Sequence, residues 1–334
     1  MKLLPILAAA LGIAAMAALV GFFGAGAVLR SLLAVGGSGF VAICAIHLIL
    51  MVVMGIAWQA LLPGARPWVA VWGRLVRDSG SEVLPLSQVG GYVLGARALA
   101  LAGVPGTVAA ASTIVDVTLE FLAQLAYTAL GLAWLIRLQP ETAAAGPIIL
   151  GLAVGTVAAL AFVLVQRRGF DYFDRIARIL GQGWAVKTAA GAAALHASLA
   201  DIYRRRRGLL LSFALHFICW IASAAEAWLA LRLAGQPLPF VAVMAIESLM
   251  YAVRTAAFFV PNAVGIQEAA YILLGATFGV TPEMALALSF LKRARDIAIG
   301  LPTLGIWQAV EGGRFLRRRS ARGPRGEVPA VPQD

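Results

Sequence analysis

Charge is what this sequence has least of. Asp, Glu, Lys and Arg make up 13 % of its 334 residues, against about 25 % in ordinary soluble chains. With 61 % hydrophobic residues and a mean hydropathy of +0.87, this shortage excludes a soluble domain and leaves a polytopic membrane protein. Cysteine is nearly absent. Cys44 and Cys219 both fall in apolar runs, so neither a disulfide nor a cysteine-based metal site is expected. The three histidines, His47, His196 and His216, are scattered, and packing suits them better than metal ligation. No G-x-S-x-G, H-E-x-x-H or P-loop pattern occurs. The sequence therefore implies no cofactor and no metal, and no catalytic activity is expected of it.

What the chain does have is apolar runs separated by basic loops. Met1–Phe23 reads as an uncleaved first helix, because its apolar run exceeds a signal sequence's usual 7–15 residues. A second span covers 39–62, and others cover 107–136, 145–166, 209–233 and 283–311. Residues 66–101 differ, with Arg74, Arg77, Pro85, Gly90, Gly91 and Arg97 breaking them up. No piece there reaches the roughly 20 apolar residues of a spanning helix, which predicts a re-entrant hairpin. A similar broken pair covers 240–280. The net charge of +11 sits in the 63–105 loop, the amphipathic segment 167–207 and the tail. Basic loops face the cytoplasm and its anionic lipid headgroups, and nucleic acid is not expected as a partner. Six crossings and two hairpins then put both termini inside.

The densest signal lies in 258–296, where Pro261, Asn262, Gly265 and Glu268 are followed by Lys292, Arg293, Arg295 and Asp296. Charges at membrane depth are rare and mark a pathway or a structural pair. Asp116, Glu120 and Gln124, spaced i, i+4, i+8, share one helical face. A weak repeat links the halves at a constant offset. Pro85 matches Pro261, Gly103-Val104 matches Gly279-Val280, Ala109 and Ala111 match Ala285 and Ala287, and Glu120 matches Asp296. The expected fold is an all-α integral membrane protein, a polytopic helical bundle of two inverted-topology repeats, each with a broken re-entrant hairpin. Residues 39–137 form the first repeat, 138–208 a linking span and amphipathic segment, 209–313 the second repeat and 314–334 a basic tail.

Glu82–Gly91 (EVLPLSQVGG), Ser112–Glu120 (STIVDVTLE) and Phe259–Glu268 (FVPNAVGIQE) resemble the transmembrane region of lysylphosphatidylglycerol synthases and their flippase-like relatives. Ala287–Gln308 (ALSFLKRARDIAIGLPTLGIWQ) looks closest to the hopanoid biosynthesis-associated membrane protein branch. The resemblance implies a lipid-handling protein of the bacterial inner membrane whose partner is a hopanoid or an anionic phospholipid. It carries over Pro85, Gly90, Arg97, Asp116 and Glu120 in the first element. In the second it carries over Arg254, Pro261, Gly265, Glu268, Lys292, Arg293, Arg295 and Asp296. Asn262-Ala263 depart from the glycines that relatives often show there. The synthases' aminoacyl-transfer activity is not expected within these 334 residues.

The expectation for mechanism follows. Asn262 caps a helix beginning near Ala263, whose N–H groups offer partial positive charge to a headgroup. Glu268 either complements that dipole or meets substrate. Arg254, Arg293 and Arg295 hold hydroxyl or phosphate oxygens through their forked donors. Asp116 and Glu120 neutralise the repeat-matched face of Lys292 and Asp296. Two other classes stay open: a membrane-embedded headgroup enzyme or a subunit of one, and a scaffold recruiting biosynthetic enzymes.

Overall fold

The computed structural model describes residues 21–22, 25–62, 64–84, 88–141, 145–180, 182–257 and 260–320, with 27, 88, 145, 147, 167–180, 182–190, 261 and 312–320 as backbone only. The expected first span apart from Gly21 and Phe22, together with Pro63, Pro85, Phe259 and the tail beyond Ser320, lies outside the described residues. Among those described are ten α-helices and no strand. They are α1 (Ala25–Gln59), α2 (Pro67–Val83), α3 (Gln88–Leu101), α4 (Gly106–Leu138) and α5 (Ala145–Leu180), then α6 (Gln182–Arg204), α7 (Arg206–Leu233), α8 (Phe240–Ala256), α9 (Ile266–Ala276) and α10 (Pro282–Ser320).

Four stretches are long and apolar enough to cross a membrane: Val28–Gln59, Gly106–Leu138, Ile148–Gln166 and Arg206–Leu233. The span expected at 39–62 begins earlier, at Ala25, and its helical backbone breaks at Gly36 (φ 71°, ψ 167°). The final span belongs to the 39-residue α10, which carries the 292–296 charges and is not one of the four. α5 bares Leu150, Val154, Val157 and Val165. An exposed apolar face of this kind suits lipid rather than water.

The two broken regions are helical hairpins. α2 packs along α3, and α8 along α9. At 1.5 Å per residue, the 17 residues of α2 or α8 span roughly 26 Å, and the 14 of α3 and 11 of α9 still less. All fall short of the ~30 Å hydrocarbon layer. The first hairpin closes on Gly91, where a Cβ would lie 1.9 Å from Ser81 Oγ and 2.5 Å from the Arg77 carbonyl oxygen. Helices in lipid associate through such close approaches, because no apolar surface leaves water.

The matched Gly-Val pairs end both hairpins in the same way. Gly103 (φ 101°) and Gly279 (φ 78°) take the left-handed conformation. The Val104 N–H then donates to the Leu99 carbonyl at 3.1 Å, and the Val280 N–H to that of Gly275 at 3.0 Å. This 6→1 bond defines a Schellman stop, which glycine makes without strain.

The long helices cross over between halves. α4 packs on α7 and α8, α10 packs on α1 and α2, and α1 packs on α7. α4 and α7 run parallel in a register of 100 residues, holding Asp116 beside His216 and Glu120 beside Trp220. At one end of the bundle Arg97 meets Glu311, and elsewhere Gln236 bonds Thr281.

Candidate functional site

Charge gathers where α2 faces α4. Arg74 reaches Glu120 through two N–H groups, at 2.9 and 2.6 Å, and reaches Asp78 at 2.7 Å. Arg77 donates to Asp116 at 2.6 Å and also to Glu120. His216 Nε2 lies 2.9 Å from Asp116, and the Arg77 guanidinium lies 4.9 Å from the Tyr92 ring centre. Both arginines are 3 % exposed. Charges so deep persist only when paired and hydrogen-bonded, and the arginine fork supplies both at once.

In the second half the pairs stand apart. Lys292 donates to Glu247, which also accepts the Tyr271 hydroxyl at 2.7 Å. The ammonium lies 5.1 and 5.6 Å from the ring centres of Tyr251 and Tyr271, within cation–π reach. Arg295 donates to Glu226 and to Asp296 (2.7 Å), and His47 lies 3.0 Å from Glu226. Glu268 accepts from Ser289 and the Gly265 N–H at 2.7 Å each, and from Arg293 at 2.9 Å.

The hairpins touch near their tips. Glu82, at the end of α2, accepts from Arg254 at the end of α8. The Asn262 side chain donates to the Glu82 carbonyl, and Arg293 donates to the Asn262 carbonyl at 3.3 Å. Asn262 (φ 53°) and Ala263 (φ 46°) lie in the left-handed region, where non-glycine residues are uncommon. These charges are partly exposed, with side-chain exposures of 23 % for Glu82, 14 % for Arg254 and 19 % for Arg293.

Several expectations need correction. Asp116 and Glu120 do not pair with Lys292 on the repeat-matched face that it shares with Asp296. The long side chains of Arg74 and Arg77 reach the carboxylates first, and Lys292 turns to Glu247. Asn262 is no N-cap. α9 begins at Ile266, Gly265 (φ 83°) is its N-cap, and the third helical residue, Glu268, binds the Gly265 N–H. Arg254, Arg293 and Arg295 each already hold a carboxylate. Arg97 stands apart from the rest, in an exposed pair with Glu311. Gln124, on the predicted acidic face, reaches Thr255 on α8 at 2.6 Å.

Sequence reasoning passed over Arg74, Arg77, Glu82, Glu226 and Glu247 as site residues. Glu226 and Glu247 carried the same signal as Asp116, a lone acid inside an apolar run. Among the described residues no cluster of His, Cys, Asp or Glu is suited to a metal ion.

Apolar spans, short hairpins and a core of buried charges held in ion pairs together define a polytopic helical membrane protein. The chain belongs to the family described as Lysylphosphatidylglycerol synthase TM region, which matches residues 6–302. Membership supports a lipid-related function. No curated protein and no solved structure matches the chain.

Proposed function

We propose that the protein is a flippase-like lipid transporter of the bacterial inner membrane, moving a hopanoid or a related polar-headed lipid between leaflets or membranes, and that it is not an enzyme. The observation that carries this reading is the meeting of the hairpin tips at Glu82, Arg254 and Asn262. Irregular backbone at membrane depth survives only inside protein or beside a polar cavity, and broken helices meeting there are a transporter's usual means of binding substrate. The crossed packing of α4 and α10 and the twin Gly-Val stops support two inverted repeats. The partly exposed Arg254 and Arg293, the latter paired with the buried Glu268, are where a headgroup exchanges hydrogen bonds, while apolar tail or rings stay in lipid.

The test is lipid extraction from separated inner and outer membranes, with and without the protein. Total lipid should be unchanged and its distribution altered, and the double change Glu268→Ala with Arg293→Ala should reproduce that effect in protein that still inserts. Loss of synthesis with an upstream precursor accumulating would instead favour an enzyme or an obligate subunit of one. Unchanged synthesis and distribution would favour a scaffold.

A further inference from the structure

We propose that a cleft at the arginine-rich end of the bundle binds the phosphate-bearing headgroup of an anionic phospholipid. This proposal shares no residue with the hairpin tips and does not rest on the transport reading. The cleft encloses about 780 Å³, within the 300–1,000 Å³ usual for small-molecule sites. Its walls are the turn after α1, the start of α2, the turn before α4 and the end of α6. It therefore opens where three candidate membrane spans begin or end, at Gln59, Gly106 and Arg206. That is headgroup depth.

The lining is divided by chemistry. Leu61, Leu62, Val69 and Ile202 form a buried apolar floor. The rim carries Arg66, Trp68, Asp201 and Arg205. Arg66 is exposed and has no ion-pair partner among the described residues. Arg205 holds Asp201 at 2.6 Å, but both are well exposed, and an i, i+4 pair in water is weak enough for the guanidinium to turn to a better anion. Two arginines against one aspartate leave the cleft net positive. Trp68 is 58 % exposed beside them, and an indole prefers the boundary between hydrocarbon and water.

Backbone adds to the same sign. Arg66, Pro105 and Arg205 are the N-cap residues of α2, α4 and α7, and none of these helices is closed by a side-chain cap. All three line the cleft. The free N–H groups of a first helical turn carry partial positive charge. An apolar floor for glycerol and the first acyl carbons, with a cationic rim for phosphate, matches an anionic phospholipid better than a free anion or a zwitterion.

The test uses the full chain in neutral detergent and follows its thermal unfolding. Dihexanoylphosphatidylglycerol, dihexanoylphosphatidylcholine and inorganic phosphate are added separately at matched ionic strength. A ligand that binds the folded state raises the midpoint in proportion to its affinity. The anionic lipid should give a saturable rise that the zwitterionic lipid and phosphate do not. Arg66→Gln and Arg205→Gln should each weaken it on the order of tenfold, as expected for losing one charge-assisted contact. Arg66→Lys should keep the lipid preference, and Arg137→Gln, outside the cleft, should change nothing. Equal responses to both lipids, or an unaltered response in Arg66→Gln, would overturn the proposal. A full rise from phosphate alone would assign the site to a free anion instead. Because the readout is binding, failure of the transport reading would leave this result standing.

Discussion

The two halves solve one problem with opposite signs. In the first, the hairpin helix α2 brings cations, Arg74 and Arg77, and the long helix α4 brings acids, Asp116 and Glu120. In the second, the hairpin helix α8 brings the acid Glu247 and the long helix α10 brings Lys292. What the halves share is the pairing of buried opposite charges rather than the sign at any position. They also differ in density. The first half concentrates its charges in one cluster, and the second spreads them as separate pairs. A cluster shares the burden of burial among several partners, whereas a lone pair lets each neighbouring contact be altered by itself.

The largest effect should come from the cluster. Glu120→Gln leaves Arg74 and Arg77 short of a carboxylate they share. It should cost about 3–5 kcal/mol, the usual penalty for stripping one partner from a buried pair, read as a lower unfolding midpoint in detergent. Tolerance at the level of a surface change would show that water reaches the cluster. Next comes the isolated pair. Lys292→Glu and Glu247→Lys should each destabilise, and the double exchange should recover much of the loss, with a coupling of about 0.5–3 kcal/mol in a double-mutant cycle. Simple additivity would mean that the tyrosines, not Glu247, hold Lys292. Third, Gly91→Val should cost about 1–3 kcal/mol by forcing the first hairpin apart. Protection of α2 and α3 in hydrogen exchange would report it. The smallest effect should be Arg97→Gln, whose pair with Glu311 is half-exposed, at under about 1 kcal/mol.

This contrast also shows what was legible in the sequence. The hairpins were, because segments too short and too broken to cross have few other options in lipid. The Gly-Val matches were, because a Schellman stop has a local signature. Partner choice was not. Glu226 and Arg295 are 69 residues apart and Arg74 and Glu120 are 46, and only the tertiary fold brings them together. The repeat matched Glu120 with Asp296, which suggested that the two faces meet. The packing instead sets each long helix against the other half's hairpin. The Asn262 reading failed for a local reason. Left-handed backbone at Asn262 and Ala263 delays the helix to Ile266, leaving the capping task to Glu268.

The contact between the hairpin tips has a consequence in time. Parting them breaks the Arg254–Glu82 pair and uncovers a carbonyl that Asn262 now covers. A gap of a few kcal/mol holds an open form at about 0.1–10 % of molecules, and helical rearrangements of this size take roughly microseconds to milliseconds. If the tips part to pass lipid, as the transport reading requires, such a molecule would be closed for nearly all of its life. On the transport reading proposed above, throughput would be set by rare openings, and between them the bilayer would keep its resistance to protons and small ions.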